Sequence, residues 1–99
     1  MHVISKKTLR EFINKHPEAE QRLLAWHKIM KACHAQDFNE LKQTFNSADY
    51  VPEKYTVFDV GGNEYRIVAV VIYNTQKVYL RLVGTHSDYN KWSKENRKK

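Results

Sequence analysis

Cysteine is almost absent from this chain: Cys33 stands alone. No intrachain disulfide can form, and a cysteine-rich zinc site is ruled out. Long apolar runs are missing too. The longest, residues 67–73, falls far short of the roughly 20 residues that span a bilayer. The N-terminal stretch Met1-His2-Val3-Ile4-Ser5-Lys6-Lys7 has no apolar segment behind its charges, so no signal peptide is expected, and a cytoplasmic protein is the default. Acidic residues are in deficit: 11 Asp and Glu face 17 Lys and Arg, a net charge of +6. A small basic domain is drawn to polyanions such as RNA, DNA, anionic lipid or an acidic protein. Lys91, Lys94, Arg97, Lys98 and Lys99 crowd the C-terminus. Ninety-nine residues leave room for one hydrophobic core, so a single domain over 1–99 is expected.

Apolar spacing predicts the elements. Val3-Ile4 suits a short first strand. Ser5 is placed to cap a helix over 5–16, along which Leu9, Phe12 and Ile13 recur at helical spacing. Proline disfavours helical geometry in the residue before it, so His16-Pro17 interrupts that helix. Pro17 then opens a second helix over 17–35, with Glu18 and Glu20 at its positive end. Ala19, Leu23, Trp26, Met30 and Cys33 form one apolar stripe along it, and the two helices read as a hairpin laid on a sheet. Asp37 caps a predicted short helix over 37–45, and 46–54 reads as a loop. Three strands follow at 55–60, 64–73 and 77–83, joined by turns at Gly61-Gly62-Asn63 and Asn74-Thr75-Gln76. Residues 87–92 predict one helical turn.

The fold class is therefore α+β in the order β-α-α-β-β-β, an N-terminal helical hairpin packed on a small antiparallel sheet. Side chains alternate across a strand. That rule places Val78, Leu80 and Leu82 under the helices and Tyr79, Arg81 and Val83 on the other face. Arg66 shares a face with Val68, Val70 and Ile72.

Two arginines among Val, Ile and Leu call for a reason, because burying an unpaired cation costs several kcal/mol. Arg66 and Arg81 fall on adjacent predicted strands, and Thr85-His86-x-x-Tyr89 follows closely. RNA can be cleaved without a metal, since its own 2′-hydroxyl can attack the neighbouring phosphorus. The catalyst must supply a base for that hydroxyl, an acid for the departing 5′-oxygen, and cations for the charge that builds on the phosphorane. Arg66 and Arg81 suit the cationic task, because a guanidinium forks onto phosphate oxygens. His86 suits proton transfer near neutral pH, and Tyr89 lies beside it if the segment turns helically.

Plainer readings exist for each residue. A strand arginine commonly pairs with a carboxylate, here Asp59 or Glu64, and His-x-x-Tyr also fits a capped helix start. His27 and His34 flank Cys33 at helical spacing, but no third ligand follows, so no metal is expected. His2 and His16 read as surface or cap residues. The glycine pair lacks the downstream Lys-Ser/Thr of a phosphate-binding loop and reads as a turn. The basic face alone equally suits an RNA- or ribosome-binding module without catalysis.

The order Phe58-Asp59-Val60-Gly61-Gly62-Asn63-x-x-Arg66, Tyr79-Leu80-Arg81 and Thr85-His86-x-x-Tyr89 closely resembles the HigB family of toxins, within the RelE superfamily. The resemblance covers about the last half of the chain. It implies a compact RelE-like α+β fold and an mRNA interferase, an endoribonuclease that acts on translating ribosomes without a cofactor. It also implies a HigA-type helix-turn-helix antitoxin as partner, through which operator DNA is bound only indirectly. Carried over residue by residue, Arg66, Arg81, His86 and Tyr89 match positions expected to contact or cleave RNA. Asn63 and Thr85 match positions that fix the turn and the strand end. Lys54 is a looser candidate for phosphate contact, joined by the basic run from Lys91 to Lys99. Some related toxins carry a histidine on the strand before the glycine turn; residues 55–60 have none.

Overall fold

The computed structural model describes residues 1–62 and 64–96. In chain order it has β1 (His2–Ile4), α1 (Lys6–Lys15), a 3-10 turn (Pro17–Ala19), α2 (Glu20–Ala32), α3 (Phe38–Thr44), β2 (Asp49–Val51), β3 (Tyr55–Val60), β4 (Tyr65–Ile72), β5 (Lys77–Thr85) and α4 (His86–Asn96). The helical stripe is real: Ala19, Leu23, Trp26, Met30 and Cys33 are all buried. Each large member contributes on the order of 1.5–3 kcal/mol by leaving water. Pro17 ends α1 as expected, and the His16 N–H donates to the Phe12 carbonyl at 2.8 Å. Ser5 holds the N-cap position of α1 but with φ 74° and no side-chain cap bond. Asp37 does cap α3, its Oδ1 accepting from the Glu40 N–H at 2.9 Å.

The strands form one sheet in the order β1-β5-β4-β3-β2. β3, β4 and β5 make the expected antiparallel meander, in which Asp59 lies opposite Arg66 and Ile72 opposite Lys77. β1 joins the far edge parallel to β5, with Val3 opposite Val78. The segment expected to be a loop contains β2, which pairs antiparallel with β3. Three residues are too few to show a period-2 pattern, and pairing decides them. Gly61 and Gly62 turn the β3–β4 hairpin with φ 66° and 59°. A Cβ on Gly61 would meet Arg22 Cδ at 2.7 Å, so α2 also presses on this turn.

The sheet has two unequal faces. Leu9 and Phe12 of α1, Leu23, Trp26 and Met30 of α2 and Leu41 of α3 pack with Phe58, Ile67, Ala69, Val78 and Leu80 as the main core. On the other face Val51, Val57 and Val68 pack with Tyr55, Leu82 and the α4 residues Tyr89 and Trp92. α4 runs to Asn96 rather than closing after one turn, because Tyr89 and Trp92 give it a sheet face to rest on.

Strict alternation fails on β5. Val68 lies opposite Leu82, yet Ala69 lies opposite Leu80, so Arg81 is an extra residue in a β-bulge. Beyond the bulge the phase inverts. Val83 enters the main core with Val78 and Leu80, while Leu82 joins the α4 side. The expected grouping of Leu82 with Val78 and Leu80 is therefore corrected. Arg81 keeps the side of Tyr79, with its guanidinium carbon 5.8 Å from that ring's centroid.

Candidate active site

α4 starts directly from the end of β5, and its start is locked by two reciprocal bonds. The Thr85 N–H donates to Asp88 Oδ2 at 2.9 Å, and the Asp88 N–H donates to Thr85 Oγ1 at 3.2 Å. This is a capping box, with two otherwise unpaired helix donors satisfied. The backbone bond from Thr85 holds the Asp88 carboxyl below its ordinary pKa despite an opposing contribution from burial. Thr85 thus fixes the strand end, the role expected for it. Gly84 lets the helix fold back so closely: a Cβ there would meet Asp88 Cβ at 2.7 Å.

The same register sets one row of side chains across three strands. Asp59, Arg66 and Gly84 are successive cross-strand neighbours on the α4 side. Arg66 forms an ion pair with Asp59 through Nη1 and Oδ1, so the pairing weighed from sequence is present. Both side chains are largely buried, 14% and 26% exposed, so the pair is shielded from much of the solvent screening that weakens surface ion pairs. With Gly84 offering no side chain, Tyr89 stands next to Arg66 instead: the guanidinium carbon is 5.2 Å from its ring centroid. Such a contact is worth roughly 0.5–2 kcal/mol, depending on desolvation.

An aromatic row extends from there. Tyr89 stacks with Trp92 at 5.8 Å and an interplanar angle of 28°. Trp92 meets Tyr55 edge-on at 5.0 Å, and Lys54 Nζ lies 5.4 Å from the Tyr55 ring centroid. The contribution of Trp92 and Tyr55 was missed from sequence. Their contact joins positions far apart in the chain, and only the i, i+3 spacing of Tyr89 and Trp92 hinted at it.

The structure brings Arg66, Arg81 and Tyr89 to one face of the sheet. Arg81 is exposed and, among the described residues, makes no ion pair. His86 is the first residue of α4, partly buried, and its N–H donates to the Glu64 carbonyl at 3.1 Å. That bond ties the helix start to the entry of β4, one residue before Tyr65. Lys91 and Lys94 are exposed on α4. Lys54 stands apart from the arginines, near the C-terminal end of α4, where it lines a cleft with Tyr55, Glu95 and Asn96. Asn63, Arg97, Lys98 and Lys99 lie outside the described residues. No group of three or more His, Cys, Asp or Glu positioned to hold a metal occurs among the described residues. No helix among them is long and apolar enough to cross a membrane.

With Arg66, Arg81 and Tyr89 on one face of the sheet and His86 opening α4, sequence comparison names the relatives. Residues 19–92 match the family model HigB_toxin, described as the RelE-like toxic component of a toxin-antitoxin system. The chain is 36% identical, over 101 aligned residues, to the mRNA interferase toxin HigB of Escherichia coli strain K12, covering 100% of this chain and 97% of that protein. It matches the mRNA interferase HigB of Shigella flexneri to the same extent. The mRNA interferase HigB of Escherichia coli O6:H1 is 27% identical over 93 residues, 92% of this chain and 90% of that protein. On a family match over most of its length, and an identity that runs its whole length, the chain belongs to the HigB toxin family.

Proposed function

We propose that this chain is the toxin of a type II toxin–antitoxin module and acts as an mRNA endoribonuclease on translating ribosomes, in the cytoplasm. The observation that carries the reading is the bulge at Arg81. Arg81 itself stays on the side of Tyr79, the α4 side of the sheet, where Arg66 and Tyr89 also lie, and this common face supports two cations serving one phosphate surface. Relatives named mRNA interferases cover the full chain, which supports the same chemistry here.

The reaction requires the RNA 2′-hydroxyl to lose its proton as its oxygen attacks the adjacent phosphorus. The 5′-oxygen then leaves and takes up a proton, and a cyclic phosphate remains. Arg81, exposed and unpaired with any described carboxylate, meets the phosphate oxygens and neutralises the phosphorane. Arg66 is held by Asp59, so it acts as a fixed charge that also seats the Tyr89 ring. His86 and Tyr89 move the protons. Lys54, Lys91, Lys94 and the basic residues 97–99 contact RNA phosphates outside the reacting bond. The partner that silences the toxin is a HigA-type helix-turn-helix protein.

The test is cleavage of mRNA on purified translating ribosomes. Wild type should cut, and His86→Ala should cut about 10²–10⁴-fold more slowly, the usual worth of a positioned acid or base. RNA binding should hardly change. If wild type leaves mRNA intact, or if His86→Ala cuts at the wild-type rate, the chain is a non-catalytic RNA- or ribosome-binding module instead.

A further inference from the structure

Far from the α4 face, a cleft of about 620 Å³ opens at the β1 edge of the sheet. Six basic side chains line it: His2 of β1, Lys6 of α1, His27 and Lys31 of α2, His34 just beyond α2, and Lys77 at the start of β5. Among the described residues the lining contains no carboxylate. Basic residues on a solvated surface usually alternate with acidic ones. Here three ammonium groups and three imidazoles share one concavity without a counter-charge among the described residues, an arrangement that concentrates positive potential and attracts anions. The Met1 ammonium also borders the cleft, but it donates to the carbonyls of Met30, Lys31 and Cys33 at 3.2, 3.3 and 2.6 Å. It therefore faces the C-terminal end of α2.

We infer that this β1-edge cleft is a second anion site, one that binds the phosphate group of a nucleotide or of an RNA backbone. It is distinct from the proposed cleavage surface. Lys77 and Gly84 are seven residues apart on β5, which separates the cleft from Arg66 by roughly 20 Å. A single phosphate cannot touch both. The cleft is also bordered by α1 and α2, the helices of the main core, whereas Arg66 and Arg81 lie on the α4 side. This inference does not rest on the endonuclease reading.

The size of the cleft supports a phosphate-bearing ligand larger than a simple ion. The volume exceeds what one phosphate fills. Gln76 lines the cleft, and its amide Oε1 is buried without a hydrogen-bond partner among the described residues. Its Nε2 is already committed to the Ala35 and Tyr73 carbonyls at 2.8 and 2.9 Å, which fixes the amide's orientation. The local field is felt at His27. Burial first, and then the Lys6 and Lys31 charges, push its pKa below the ordinary value. A bound anion opposes those lysines, so it should raise the His27 pKa, and binding should tighten as pH falls.

The experiment follows the His27 and His34 imidazole signals of the full chain by NMR while pyrophosphate, AMP or a non-cleavable 2′-O-methyl RNA hexamer is added. Saturable shifts and a raised His27 pKa are expected, with binding about tenfold weaker in Lys31→Ala and in Lys77→Ala, the loss of one charge-assisted contact. Arg81→Ala should leave these shifts in place. Responses to pyrophosphate and AMP identify a free-phosphate ligand; a response to the RNA alone identifies backbone phosphate as the source. The inference is overturned if none of the three shifts either imidazole up to about 5 mM, beyond the weak end of useful affinity. It is equally overturned if the shifts persist unchanged in both lysine variants.

Discussion

Arg66 lies over the ring of Tyr89, 5.2 Å from its centroid, while Asp59 on the next strand grips the same guanidinium. One cation therefore links β3, β4 and α4. Tyr89 cannot shift without losing its partner, and Arg66 cannot swing toward a ligand without releasing Asp59. The proposed site is pre-organised by this chain of contacts, which is the property that lets charge stabilisation act without reorganisation.

The Tyr89 ring and hydroxyl should separate by substitution. Tyr89→Phe keeps the ring under Arg66, so stability should fall by less than about 1 kcal/mol, yet mRNA cleavage should drop by about 10²–10⁴-fold. Tyr89→Ala should also lower the urea midpoint, because both the Arg66 and the Trp92 contacts go. Cleavage by Tyr89→Phe at the wild-type rate would remove the hydroxyl from the mechanism.

Asp59→Ala should destabilise the fold by about 1–3 kcal/mol, since it leaves a largely buried arginine without its carboxylate. Arg66→Ala in the same background should add little further loss. A double-mutant cycle on denaturation free energies measures the coupling, and strict additivity of the two changes would show that the pair is energetically idle.

The α4 cap gives a pH signature. Asp88 has a folded-state pKa depressed chiefly by the Thr85 backbone bond, so its contribution is present above the ordinary carboxylate pKa and is lost as pH falls through the lower folded value. Acid unfolding curves should show this, and Asp88→Asn should flatten that part of the pH dependence. Thr85→Ala, which deletes the other half of the capping box, should cost about 0.5–2 kcal/mol and slow cleavage through the displaced start of α4.

Arg81 is exposed, so Arg81→Ala should change stability by less than about 0.5 kcal/mol. Cleavage and RNA affinity should both fall, because a phosphate contact made in the ground state tightens in the transition state. Removing one such contact should also lower the slope of log affinity against log salt by roughly 0.7 for a single strand. An unaltered salt slope together with unaltered cleavage would take Arg81 out of the site.

Much of the architecture is local enough to read in the sequence. The stripe Ala19, Leu23, Trp26, Met30, Cys33 makes α2 bury one side wherever it lands. The glycine pair at 61–62 and the turn at 74–76 bring three strands into an antiparallel meander. Arg66, Arg81, His86 and Tyr89 were recognisable as candidates because they stand close together in the chain, in a segment that one hairpin and one helix start can assemble.

Tertiary structure decided what depends on partners distant in sequence. Alternation alone sent Leu82 inward and Val83 outward; the bulge at Arg81 reversed them, because register is a property of two strands and not of one. β2 exists only because β3 offers it hydrogen bonds, and α4 continues past one turn only because Val57, Val68 and Leu82 give Tyr89 and Trp92 a surface to cover. The choice of Asp59 rather than Glu64 for Arg66 was made by cross-strand pairing. The β1-edge cleft is the plainest case: residues 2, 6, 27, 31, 34 and 77 carry no shared sequence signal, and their charges meet only because β1 pairs with β5 beside the end of α2.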